Sequence, residues 1–300
     1  MADRTWILLV GDNPFHGVSH LSQERARGRG DEITLPEKAS HLVRTALDNG
    51  ADGFMFSVSD TTLSILELIS GSENDELPDL YPLVPYAYEY VRLATQAGGI
   101  SGLGRRFARQ LLSSRNFKAI AMGFRGVVAM DPATLLKAYL GYEIQRIRSS
   151  TGGKGSIRSI LLHEMIADMA LALNLDWLFK SYIDFLKELK IRPGIETRNF
   201  AYLVDRFQEW DLDPKGVLIA APFNRLGFQM NPSREPCERA LEQLGARNVI
   251  AMSVLASGYL DPAEAAEYIK KLPNLTGIVV GVSKEKHASE TFRLFREELI

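Results

Sequence analysis

Residues 248–294 read NVIAMSVLASGYL (248–260), DPAEAAEYIKKL (261–272) and, after a short PNL link, TGIVVGVSKEKHASETFRL (276–294). Two short apolar runs, Val249 to Met252 and Gly277 to Val282, each end in small or polar residues and lead into a segment with helical spacing. That order is the mark of β-α-β-α units in a parallel sheet. Working back from this end, similar apolar runs place strands near 6–10, 53–58, 83–88, 157–162, 192–196 and 216–221, with 249–253 and 277–282 closing the series. Eight strands alternating with amphipathic segments predict a (β/α)8 TIM barrel over residues 1–300.

Composition fits one such domain, since 300 residues with 46% hydrophobic content suffice for a barrel of ~250 residues plus an insertion. A net charge of −2 gives no global attraction to nucleic acid or anionic lipid. Cys237 is the only cysteine, which excludes a disulfide framework within the chain. No uncharged apolar run reaches the ~18 residues of a membrane span, and the run from Trp6 to Val10 is shorter than the ~7–15 residues of a signal-peptide core. The expectation is a cytoplasmic protein with a small-molecule partner.

The strand ends carry the chemistry. The first strand runs into Gly-Asp-Asn-Pro-Phe-His-Gly-Val-Ser-His, which brings Asp12, Asn13, His16 and His20 to the C-terminal mouth, where barrel active sites are built. The second ends at Ser59-Asp60, and Asp60 reads as the N-cap of the next helix. The fourth ends in His163-Glu164, and the fifth in Glu196-Thr-Arg198-Asn199-Phe200. A carboxylate at an apolar strand end is costly without a partner or a proton, so Glu196 asks for a cation, a metal or acid–base work. Helices are expected over 35–49, 132–148 and 178–189.

The long connection between strands three and four, residues 91–150, reads as a helical insertion or lid. Between Glu89 and Asp131 it holds no acidic residue, while Arg105, Arg106 and Arg109 follow the glycine-rich Gly98–Gly104 loop. A basic segment of this kind either faces an anionic ligand or forms a solvated helix face.

These residues together resemble the aldo-keto reductase family. Ser253, Leu255 and Gly258 match its Ser-x-Leu-x-x-Gly strand end, and Gly281, Ser283, Lys284, His287 and Glu290 lie along its Gly-x-Ser-Lys element. Asn199 and Phe200 match the end of its Ser-Asn-Phe motif. The resemblance implies a barrel with an NAD(P) phosphate site on the last two strand loops and Asn199 on the nicotinamide amide. Of the family's Asp, Tyr, Lys and His tetrad, only the His is matched, at His163. Met55 and Phe56 stand at the Asp position, Pro85 to Glu89 offer no Lys, Ala220 replaces a Gln, and Met252 replaces the ring-stacking Tyr.

The leading functional reading is an enzyme that binds a phosphorylated or carboxylated small molecule and performs acid–base chemistry with His163, Glu164, Glu196 and Asp12. The alternatives are an NAD(P)-dependent oxidoreductase with Tyr86 or Tyr88 in the Tyr role, and a metal-dependent isomerase or lyase using Asp12, His16, His20, His163 and Glu196. A non-catalytic barrel that binds a partner through its basic insertion is the fourth reading. No compact His-Glu-x-x-His motif supports the metal reading.

Overall fold

The computed structural model describes residues 6–16, 34–71, 77–85 and 132–300. Eight parallel strand positions close on themselves: β1 (Ile7–Gly11), β2 (Gly53–Ser57), β3 (Asp79–Val84), β4 (Ser156–Ile157 and Ser159–Leu162, interrupted at Arg158), β5 (Arg192–Glu196), β6 (Leu218–Pro222), β7 (Val249–Met252) and β8 (Leu275–Gly281). β1 pairs with β2 on one side and β8 on the other, and β2 pairs with β3, so the cylinder has no free edge. The seam is tight. A Cβ on Gly277 would lie 2.1 Å from the Ile7 carbonyl oxygen, so only hydrogen fits where β8 meets β1.

Helices α1 (Pro36–Asp48), α2 (Asp60–Ser70), α3 (Pro132–Ser150), α4 (Glu164–Ala172), α5 (Asp176–Glu188), α6 (Phe200–Glu209), α7 (Arg234–Gln243), α8 (Pro262–Ile269) and α9 (Glu285–Leu299) follow in chain order. α3 packs between α2 and α5 in the outer ring, and α9 packs against α1 and α8, which completes the circle. Residues 91–131 of the expected insertion, with Arg105, Arg106 and Arg109, lie outside the described residues. Among the described residues no helix is long and apolar enough to cross a membrane.

Alternation along the strands divides the core in two. Leu9, Met55, Tyr81, Leu83, Leu161, Leu218, Ala220 and Ile250 point inward and fill the cylinder, while Leu8, Val10, Phe54, Phe56, Ile195 and Ile219 point outward to the helices. The inner filling makes the barrel a packed core rather than a pore.

Three elements differ from the sequence expectation. β3 occupies 79–84 rather than 83–88, in register with β2 from Gly53↔Asp79 to Ser57↔Leu83. Pro85 has no N–H to extend the ladder beyond that point. The N-cap of α2 is Ser59, not Asp60: the Ser59 hydroxyl accepts the Thr62 N–H at 3.2 Å, and the Thr62 hydroxyl accepts the Ser59 N–H at 3.0 Å. Asp60 is thereby free to reach across and pair with Arg146 of α3 at 2.6 Å. Finally, α4 is a helix the sequence pattern did not announce, inserted at the mouth between β4 and α5.

Candidate active site at the barrel mouth

The ends of seven of the eight strands, with Gln229 from the loop after β6, line one cavity of about 1200 Å³ at the C-terminal face. That exceeds the ~300–1,000 Å³ of a typical small-ligand pocket. Two groups of residues line it: a titratable cluster from β1, β4 and β5, and a small-residue rim from the β7 and β8 loops.

Asp12 follows β1 directly and is buried. Its Oδ2 accepts the Ser57 N–H at 2.7 Å and lies 2.9 Å from His16 Nε2. Both contacts fall on the same oxygen. The 3-10 turn Asn13–His16 holds His16 four residues on, so the chain itself builds the pair.

His163 ends β4 and caps α4. Its extended backbone (φ −62°, ψ 141°) lets the ring turn back, and Nδ1 accepts the Met165 N–H at 3.2 Å. With Nδ1 an acceptor, the neutral ring carries its proton on Nε2. Burial pushes the imidazole below its ordinary range, against the carboxylates of Glu164 and Asp12, which pull it up. The ring is therefore neutral at pH 7.

Glu196, at the end of β5, is 8% exposed and pushed up to about 8. Burial is the main cause, reinforced by the negative charge of Glu164. A hydrogen bond from the Glu164 N–H to Oε2 at 3.2 Å opposes the rise, as does Arg198, while Asp12 adds to it. At pH 7 most of the population holds the proton. A neutral carboxylic acid and a neutral imidazole thus line the same cavity as a buried, hydrogen-bonded Asp12.

Glu164 is placed differently from the other three. Both its carboxylate oxygens are held by Arg198, with Nε to Oε2 at 2.6 Å and an Nη to Oε1 at 2.6 Å. This fork geometry commits both oxygens of Glu164 to Arg198. One turn on, Asp168 Oδ2 accepts the Arg198 N–H at 3.2 Å, and Asp168 Oδ1 accepts the Thr197 hydroxyl. Asp168 is pushed up by burial, with these hydrogen bonds and one from the Asn199 side chain pulling it down.

On the opposite side, Ser253, Leu255 and Gly258 line the cavity together with Gly281, Ser283, Lys284, His287 and Glu290. The turn after β7 is built from left-handed residues: Ser253 (φ 54°), Ala256 (φ 44°), Ser257 (φ 61°) and Gly258 (φ 88°). Three non-glycine residues in that region are uncommon and store strain. Lys284 is the N-cap of α9, with no side chain bonding the first-turn N–H groups. Such a terminus, carrying a lysine, suits an anion.

Asn199 does not join this rim. It caps α6, its side chain bonds Asp168, and it is absent from the cavity wall. Met55 and Met252 do line the cavity, whereas Ala220 sits in the inner core beneath it. His20, Tyr86 and Tyr88 lie outside the described residues. Among the described residues, no group of three or more His, Cys, Asp and Glu side chains is arranged to hold a metal ion.

Gln229 is a cavity residue that the sequence did not single out. The Ser253 hydroxyl donates to its Oε1 at 3.1 Å, tying the β6–α7 loop to the β7 turn. The loop is shaped by Asn224, whose side chain accepts the Phe228 N–H and donates to the Phe228 carbonyl, each at 2.8 Å. A buried Asn after a strand, four residues before another loop position, is the signal that could have marked it.

No protein-family model and no curated protein gives a significant match to the chain. Solved structures do. A Pseudomonas aeruginosa protein proposed to be an aldo-keto reductase superposes with a TM-score of 0.58 at 13% identity, covering 98% of this chain and 91% of that one. A glycerol dehydrogenase from Gluconobacter oxydans gives 0.54 at 12%, covering 96% and 86%. An aldo-keto reductase from Klebsiella pneumoniae in complex with NADPH gives 0.52 at 12%, covering 98% and 90%. The chain therefore has the closed barrel fold seen in aldo-keto reductases, at a sequence distance where the likeness establishes fold alone.

Proposed function

We propose that this barrel, of aldo-keto reductase fold, is an enzyme for an anionic small molecule. It moves a proton at a carbon next to a carbonyl group. The observation that carries this reading is Glu196, a carboxyl facing the cavity and pushed up to about 8, so that it holds a proton at neutral pH. A buried carboxylic acid in a cleft beside a neutral histidine is the arrangement acid–base enzymes use.

The roles follow from the hydrogen bonds. Asp12 uses Oδ2 for Ser57 and His16, and its carboxylate takes the proton from carbon. Glu196 donates its proton to the carbonyl oxygen, and His163 polarises that oxygen through Nε2–H. The product of this step from a hydroxycarbonyl compound is an enediol. Asp12 then returns its proton to the neighbouring carbon while the second hydroxyl gives its proton to the Glu196 carboxylate, which completes an isomerisation with no net change in electrons and restores both groups. Glu164 takes no proton in this scheme, because Arg198 occupies both of its oxygens. The phosphate or carboxylate of the substrate lies at the β7–β8 rim, with Lys284 supplying a full charge.

A second reading is favoured by that same rim. The Klebsiella neighbour is a complex with NADPH, and the motif residues Ser253, Leu255, Gly258, Gly281, Ser283 and Lys284 all line this cavity. In that reading a nicotinamide nucleotide occupies the rim, and Glu196 supplies the proton that accompanies hydride transfer.

One experiment separates the readings. Phosphorylated hydroxyaldehydes and hydroxyketones are incubated with the protein in D2O, with and without NADPH, and followed by proton NMR. Proton transfer gives deuterium at the carbon next to the carbonyl without nucleotide, and Glu196→Gln slows it by about 100-fold or more. Turnover only with NADPH transfers the conclusion to the second reading. No exchange and no turnover would leave a binding protein and overturn both.

A further inference from the structure

We propose that Arg198 is a positioning residue: its forked ion pair with Glu164 holds the first turn of α4 so that the Glu164 N–H stays on Glu196. The inference deepens the reading of Glu196 as proton carrier and rests on it.

The geometry is a two-rung clamp between α4 and the β5–α6 turn. On the first rung, Arg198 grips Glu164 with two bonds of 2.6 Å, and the Glu164 backbone N–H reaches Glu196 Oε2 at 3.2 Å. On the second, one turn along α4, Asp168 receives the Arg198 backbone N–H at 3.2 Å and the Thr197 hydroxyl. Residues 164 and 168 lie on one face of the helix, and residues 197 and 198 directly follow the strand that ends in Glu196. The clamp therefore spans from the carboxyl's own strand to the helix that hydrogen-bonds it. Ala167, Ala170 and Leu171 pack α4 inward, while Met165 and Met169 on its outer side are exposed, so the clamp adds a polar tie at the end of the helix nearest Glu196.

The consequence is electrostatic. The groups acting on Glu196 are Glu164 of α4 and Asp12 after β1, which favour its protonated form, and Arg198, which opposes them. His163, from the β4–α4 junction, shares the cavity. Arg198 acts twice over, by its own charge and by neutralising Glu164. Losing it leaves Glu164 unpaired near Glu196 and loosens the N–H that stabilises the ionised form. All three effects have one sign, toward a higher titration midpoint for Glu196.

The test is a carbon-13 NMR titration of glutamate-labelled protein without substrate, the Glu196 carboxyl being assigned by its loss in Glu196→Gln. Arg198→Gln should raise the midpoint by about one pH unit. Arg198→Lys, which keeps the charge but not the fork, should also raise it, and Glu164→Gln should lower it. Circular dichroism and melting temperature identify variants that fold. Folded Arg198 variants with an unchanged midpoint would overturn the proposal, and Arg198→Lys decides if Arg198→Gln fails to fold. This outcome is independent of the exchange experiment: exchange surviving in Glu196→Gln would sink the proton-carrier reading, whatever the titration shows.

Discussion

Glu196→Gln should melt at a higher temperature than the wild type at pH 8, with the difference vanishing near pH 4. The folded-state value of about 8 lies above the ordinary 4.5. A group raised on folding contributes its full stability only below the unfolded value, and that contribution is lost as pH rises toward the folded one. Between pH 4.5 and 8 the unfolded chain sheds this proton while the folded chain retains it, so the equilibrium is drawn toward unfolding. The loss levels off above 8, at a size on the order of 4 kcal/mol. Gln carries no proton to lose, and its carbonyl oxygen still accepts the Glu164 N–H. At roughly 2 °C per kcal/mol for a chain of this size, the gain is about 5–10 °C at pH 8. Thermal scans of both proteins from pH 4 to 9 measure it. Parallel curves across that range would mean that Glu196 titrates as an ordinary surface carboxyl. A stabilising change at a residue proposed for chemistry is the expected trade between activity and stability.

Lys284→Ala should weaken a phosphate-bearing ligand by about 10- to 100-fold and leave its dephosphorylated counterpart unaffected. The lysine stands at the start of α9, where three first-turn N–H groups lack helical partners and the helix dipole favours an anion. Because Lys284 is exposed, part of its effect is screened, and the difference should shrink as salt is raised. Isothermal titration of both ligands at two ionic strengths resolves these contributions. Equal binding of the two ligands, or no effect of the substitution, would reduce this rim to a closure of the barrel.

Much of the fold could be read directly, because buried parallel strands are continuous apolar runs. Ile7–Gly11, Gly53–Ser57 and Val249–Met252 are of that kind, and the structure places them within a residue or so of the expected positions. β3 was harder, since Leu80 to Val84 and the aromatic stretch beyond Pro85 are equally apolar, and only pairing with β2 fixes which part enters the sheet. α4 escaped notice for a related reason. Its sequence, EMIADMALA, carries polar side chains only at Glu164 and Asp168, which turn to Arg198 within the fold, while the apolar Met165 and Met169 are exposed, so its pattern does not mark an apolar buried face opposite a polar exposed one.

The site was legible wherever a polar residue stood at the end of an apolar strand. Asp12, His163 and Glu196 satisfy that rule and do line the mouth. What could not be read was how neighbouring polar residues pair. Glu164 and Arg198 are 34 positions apart and become a clamp only when α4 is laid against β5. Asn199 follows the family motif in sequence, yet Asp168 on α4 engages its side chain away from the cavity. The inserted helix explains both departures, because it brings carboxylates to positions that the linear motif does not contain.

The most direct test of the account is a crystal structure with a phosphorylated hydroxyketone bound. The phosphate should lie between the turn at Ser253 to Gly258 and the turn at Gly281 to Lys284, and the carbonyl oxygen within hydrogen-bonding reach of Glu196 and His163. A ligand whose phosphate sits elsewhere, or whose carbonyl faces away from Glu196, would contradict it.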